Sequence, residues 1–176
     1  CPHVSKVGFE VGDDPELVKE IVTTTKNSTN VPVIAKVGLG TTHYLKTVGT
    51  AIDSGIDAIT AINTVRAMAI DVETQRPILS NKFGGLSGTP IKPIALRCVY
   101  EISSKYDIPI IGCGGISTWE DAVEFFLAGA SGIQLGSAIG DNWIHIFDDI
   151  NKGILQYMRK KNYSTIKEMV GIAKKS

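Results

Sequence analysis

The sequence predicts an α/β fold built on a parallel sheet. Four short runs rich in Val and Ile are nearly continuous in apolar character, as strands covered on both faces are. The segments between them carry helical periodicity, and strict alternation of the two means βα units. Small residues end the later runs just ahead of a helix, the usual form of a loop that meets a ligand.

Taken in order, "DPELVKEIVTTTKNS" (14–28) opens with Asp14 as N-cap and Pro15 at the first helical position. The first apolar run is "VPVIAKVG" (31–38), and "THYLKTVGTAIDSG" (42–55) is a helix ending on Gly55. "DAITAINT" (57–64) is the second run. A long connection, 65–90, follows; a stretch of that length is functional or hides a small hairpin. "IKPIALRCVYEISSKY" (91–106) sets Ile94, Val99 and Ile102 along one side of a helix. After the third run, "IPIIGCGG" (108–115), comes "STWEDAVEFFLAGA" (117–130), with Ser117 and Glu120 spaced as a capping box. The fourth run is "GIQLGSA" (132–138), and helices over about 143–159 and 164–174 finish the chain.

The 176 residues suffice for one domain with a real core. Eighteen basic residues balance eighteen acidic ones, so there is no electrostatic footprint for nucleic acid or an anionic membrane. No apolar run approaches the ~20 residues of a membrane helix. Three cysteines without a CxxC point to a reducing, cytoplasmic setting and exclude an iron–sulfur cluster held by this chain alone. His43 and His145 lack partners at ligand spacing, so no metal is expected. Cys98, within a helix, and Cys113, within a strand, read as structural.

Three glycine clusters lie in register with strand or helix ends: Gly84, Gly85 and Gly88; Gly112, Gly114 and Gly115; and Gly136 with Ser137. Glycine there lets backbone N–H groups approach an anion at a helix N-terminus. No GxGxxG follows a first strand, which argues against a dinucleotide fold. Two successive phosphate-type loops match the loops after strands 7 and 8 of a (β/α)8 TIM barrel. The four runs then supply roughly strands 5–8. Four parallel strands cannot close a barrel, so residues 1–176 are expected to be the C-terminal part of a single domain whose N-terminal half is absent. Cys1 would follow the missing strand 4, on the face where barrel active sites lie.

Polar residues occur at the same end of the strands. Lys36 closes "VPVIAK", where an ammonium is costly unless it snorkels to solvent or meets an anion. Asn63 and Thr64 close "AITAINT", either as a cap for the next segment or as ligand contacts.

Together "CPH", "VIAKV", "AINT", "GGLSGTPIKPIALR" and "IPIIGCGGISTWEDAVEFFLAGASGIQLGSA" resemble the dihydroorotate dehydrogenases, most closely the soluble class 1 enzymes that carry FMN in a (β/α)8 barrel. The resemblance runs from Cys1 to about Ala138. It implies oxidation of (S)-dihydroorotate to orotate in pyrimidine biosynthesis, with Cys1 as the base and Lys36 as a catalytic residue beside the flavin. It further implies that Ile62, Gly88, Gly114, Gly115, Gly136 and Ser137 join Lys36 in holding FMN, and that His3, Asn63 and Thr64 bind substrate. Ser137 is commonly Thr in the family. His3 stands where these enzymes usually have Asn, and "CPH" is more like the flavin domain of dihydropyrimidine dehydrogenase. Action on uracil or thymine is therefore the alternative, and a non-catalytic phosphate-binding barrel fragment is a third reading. The implied partners are the missing half of the enzyme, a second copy in a homodimer and, for some electron acceptors, an electron-transfer subunit. Fumarate, NAD and a quinone all stay open as acceptors.

Overall fold

The computed structural model describes residues 12, 14–40, 43–142 and 144–175. Helix α1 (Pro15–Asn27) starts where its cap signal lies: the Asp14 carboxylate accepts from the amides of Glu16 and Leu17. Strands β1 (Ile34–Val37) and β2 (Ala58–Ala61) flank α2 (Tyr44–Asp53). The connection over 65–90 does hide hairpins. Within it β3 (Val65–Ala67) pairs antiparallel with β6 (Gly84–Leu86), and β4 (Ile70–Asp71) with β5 (Arg76–Pro77). Asp71 closes the tip by accepting from the amides of Glu73 and Thr74. Next come α3 (Lys92–Lys105), β7 (Ile110–Cys113), α4 (Trp119–Ala128), β8 (Gly132–Gln134), α5 (Ser137–Asn142) and α6 (His145–Lys161).

Strands β1, β2, β7 and β8 form one parallel sheet in that order. Consecutive parallel strands joined by helices put those helices on one side of the sheet. Helices α2, α3 and α4 pack there, with α1 against α2 and α6 against α4. Helix α3 buries Ala95, Cys98, Val99 and Ile102, an i, i+3, i+4, i+7 stripe, with Ile94 packed at its margin. Cys98 is fully buried, as expected of a core thiol.

The expectation that all four strands are covered on both faces holds over its full length only for β2, which is buried at every residue. Lys36, Thr60, Ile111 and Gly132 form one row across the sheet, and Val37, Ala61, Gly112 and Ile133 the next. Successive rows face opposite sides. The second row lies under the helices, where Gly112 sits against the Phe125 ring. The first row, with Ile34, Cys113 and Gln134 on the same side, is only partly covered, and Ile34 is 49% exposed. This face has no second layer over it among the described residues. That is the arrangement of an incomplete barrel: an α/β chain whose edge strands β1 and β8 have no further neighbour among the described residues.

Two local expectations are corrected. The capping box of α4 is Thr118 with Asp121, not Ser117 with Glu120. Thr118 holds the extended backbone of an N-cap, and the Asp121 carboxylate reaches back to its amide, 2.9 Å away. Over 164–174 there is no continuous helix but two 3-10 turns, Ile166–Glu168 and Ile172–Lys174. Gly171 interrupts them at φ 73°, and its amide donates to Phe126 O at 2.9 Å, which docks the segment on α4. The helix expected over about 143–159 begins at His145, after the separate short α5.

Candidate active site

The C-terminal ends of all four parallel strands open on one side of the sheet, and there they border a cleft of about 430 Å³. Strand β1 contributes Lys36. The end of β2 contributes Ile62, Asn63 and Thr64, and the turn before α3 contributes Gly88. The loop after β7 brings Gly114 and Gly115, and the loop after β8 brings Gly136 and Ser137. Every described residue singled out from the sequence as a site residue therefore borders one cavity. Cys1 and His3 lie outside the described residues.

Backbone hydrogen bonds hold these ends together. Ile62 N donates to Cys113 O at 2.7 Å, and Asn63 N donates to Val37 O at 2.8 Å. Ile62 is 1% exposed, so it forms the floor of the cleft as part of the core. Lys36 and Thr64 are exposed and Asn63 is half-buried. Among the described residues Lys36 has no ion-pair partner, and the side chains of Asn63 and Thr64 accept or donate no hydrogen bond. Asn63 and Thr64 cap no helix either, because β3 follows them directly. Three polar side chains are thus presented to the cleft with their hydrogen-bonding capacity unspent.

The glycines divide into two kinds. Gly115 has φ 73°, and a Cβ on it would lie 2.7 Å from Lys92 N and 2.9 Å from Gly88 O. The packing of two loops against each other leaves no room for a side chain there. Gly136 is the opposite case: a Cβ there would meet no atom within 4 Å. Gly136 also borders the cleft, and no atom of the described residues stands where its side chain would be.

An ionic cluster stands behind the wall formed by the β7 loop. Lys92 Nζ lies 2.7 Å from Asp121 Oδ1 and 3.0 Å from Glu124 Oε2. Asp121 Oδ2 accepts from Ser117 N, Ser117 Oγ and Thr118 N at 2.9, 3.0 and 2.9 Å. Burial alone would raise the Asp121 carboxyl, but the hydrogen bonds from Lys92, Ser117 and Thr118 outweigh it and hold the group below the usual carboxylate range. The hydrogen bonds to Asp121 and then to Glu124 push the Lys92 ammonium up. The amides of Ser117 and Thr118 are therefore committed to Asp121. A second cluster, in which the Tyr44 hydroxyl donates to Glu101 beside Arg97 and Cys98, borders no part of the cleft. Burial raises the Cys98 thiol, consistent with a core role.

Sequence reasoning missed several cleft residues: Ser87, Thr89, Cys113, Ser117 and Gln134. Gln134 carries the same signal as Lys36, a polar residue closing an apolar run. Cys113 reads as core from its run, yet register sets it on the partly covered face beside Gln134. Among the described residues no group of three His, Cys, Asp or Glu side chains could hold a metal. Among the described residues no helix is long and apolar enough to cross a membrane.

The model of a protein family described as dihydroorotate dehydrogenase matches residues 1–158. Curated relatives named "Dihydroorotate dehydrogenase B (NAD(+)), catalytic subunit" are similar along nearly all of the chain. That of Pyrococcus furiosus is 50% identical over 175 residues, 99% of this chain and 58% of the relative. That of Thermococcus kodakarensis is 47% identical over 98% of this chain and 57% of its own length. For Methanosarcina mazei the values are 45%, 98% and 55%. The chain thus spans somewhat more than half the length of the relatives it matches.

Proposed function

The chain belongs to the dihydroorotate dehydrogenase family, and from that premise we propose that the full-length protein oxidises dihydroorotate to orotate with FMN, in the cytoplasm. The observation that carries this reading is the convergence in one cleft of Lys36, Ile62, Asn63, Thr64, Gly88, Gly114, Gly115, Gly136 and Ser137. They come from four separate strand ends and from the turn before α3.

The residues present fit a flavin nucleotide. A cleft of about 430 Å³ is of the size that holds such a ligand. The open backbone at Gly136 leaves room for a bulky anion at that end. When bound, FMN supplies the acceptor for the hydride that leaves C6 of the dihydropyrimidine. Cys1, as thiolate, takes the proton from C5 on the opposite face, and the electron pair of the C5–H bond becomes the new C5=C6 bond. A free thiol has a pKa of about 8.5, so turnover should rise toward alkaline pH. Asn63 and Thr64 offer an amide and a hydroxyl to the polar rim of the substrate. Lys36 offers an ammonium to negative charge developing in the cleft.

The rest of the barrel would come from the length of the relatives that this chain does not span. It would cover the face bearing Ile34 and Ile111 and pair with the free edges of β1 and β8. Residues 1–176 would then be the C-terminal part of one FMN-binding domain. The relatives' names combine a catalytic subunit with NAD(+). We extend both to this protein: NAD as the electron acceptor, reached through an electron-transfer subunit, with the catalytic chain as a homodimer.

The test is Cys1→Ala in the full-length protein, followed by anaerobic stopped flow. The variant should stay yellow and bleach with dihydroorotate about 10²–10⁴-fold more slowly, the usual cost of losing a general base. Bleaching at the parent rate removes Cys1 from that role. Bleaching of the parent protein by dihydrouracil in place of dihydroorotate moves the substrate to the uracil branch that His3 raises.

A further inference from the structure

We propose that the Lys92–Asp121 bridge is a positioning device for the anion end of the cleft, tying the turn that begins at Gly88 to the loop that follows β7. The inference rests on the reading of the cleft as a flavin site whose phosphate end lies between Gly136 and the wall formed by Gly88 and Gly115. Lys92 is the first residue of α3 and Asp121 the third of α4, and neither borders the cleft.

The two carboxylate oxygens of Asp121 have separate tasks. Oδ2 collects the amide and hydroxyl of Ser117 and the amide of Thr118, which fixes the course of its own loop. Oδ1 takes the ammonium of Lys92, 29 residues away in the chain, which fixes that loop to the other wall. The backbones meet at the same place. Gly115 packs so closely on Lys92 that a Cβ would stand 2.7 Å from its amide nitrogen and 2.9 Å from Gly88 O. A shift of either helix end would therefore move Gly88 and Gly115 apart, and both border the cleft.

Charge adds to geometry. Lys92 also meets Glu124 at 3.0 Å. Without the ammonium, two carboxylates are left behind a wall that must receive an anion, and like charge there repels it. Among the described residues Glu124 bonds to no atom of the loop, so its removal should not disturb the cleft. FMN and riboflavin differ only in the phosphate, and the ratio of their affinities isolates the anion end from the ring.

Apo full-length protein is titrated with FMN and with riboflavin, read by quenching of flavin fluorescence. The parent should prefer FMN. Lys92→Met should lose about tenfold of that preference, the scale of one charge-assisted hydrogen bond, with riboflavin affinity unchanged. Lys92→Arg should restore the preference, and Glu124→Gln should keep it. Should Lys92→Met fail to fold, Lys92→Gln is read in the same titration. Three results overturn the inference: a full FMN preference in the Lys92 variant, an equal loss of FMN and riboflavin affinity, or a loss in Glu124→Gln as large as in Lys92→Met. A parent protein with no preference for FMN overturns the flavin-phosphate reading and this inference with it.

Discussion

The loops that follow β7 and β8 are both rich in glycine and both border the cleft, yet glycine serves a different end in each. After β7 the protein itself fills the space a side chain would need. Gly114 faces the Ala95 methyl, and Gly115 the backbone of Lys92. Asp121 then ties down the rest of that loop. After β8 the surroundings are bare: a Cβ on Gly136 would come within 4 Å of no atom of the described residues. The first loop is built by packing. The second faces open space at Gly136. The same glycine signal therefore marks a packing requirement in one place and open space beside the cleft in the other.

The largest effect that would break this contrast is at Gly115. Gly115→Val adds a β-branched side chain at φ 73° against backbone atoms that cannot retreat. Overpacking and the left-handed backbone together should cost about 2–5 kcal/mol, read as a lower urea midpoint of the full-length protein. Unchanged stability with lost flavin would put the β7 loop in the same class as the β8 loop. Next is Asp121→Asn, which weakens the tie without adding bulk and should cost about 1–2 kcal/mol at neutral pH. The sign of its pH dependence follows from the lowered carboxyl. The stabilisation is present above the ordinary carboxylate value of 3.8 and is lost as pH falls through the lower folded value. The difference between parent and Asn variant should therefore shrink below about pH 4, as melting curves across acid pH would show. The smallest effect on stability belongs to Gly136→Ala, expected within about 0.5 kcal/mol because the methyl meets nothing. Its flavin affinity should still fall about tenfold, since the methyl stands where the ligand would, a loss of roughly 1.4 kcal/mol. A stable variant that retains full flavin would mean the space beside Gly136 is solvent.

Much of this was legible in the sequence, and for local reasons. Asp14 and Pro15 mark the start of α1 through contacts within one helical turn. Val- and Ile-rich runs mark the strands, and polar or glycine residues at their ends mark the cleft. Lys36, Asn63, Thr64, Gly88 and Gly136 all reach it. For the cap of α4, Ser117 with Glu120 and Thr118 with Asp121 offer the same local pattern. The choice fell to Asp121, whose carboxylate is anchored by Lys92 from another helix. The last turns went astray because Gly171 takes a left-handed conformation to dock on Phe126, a partner 45 positions away that no local period encodes.

The sequence by itself determined the order of βα units, the parallel sheet and the set of strand ends that form the cleft, since each depends on residues close together in the chain. Only the tertiary structure decided which glycines are packed and which are open, which face of β7 carries Cys113, and that Lys92 is joined to Asp121. Those are contacts between segments distant in sequence, and their geometry comes into being only when α3 and α4 are laid side by side on the sheet.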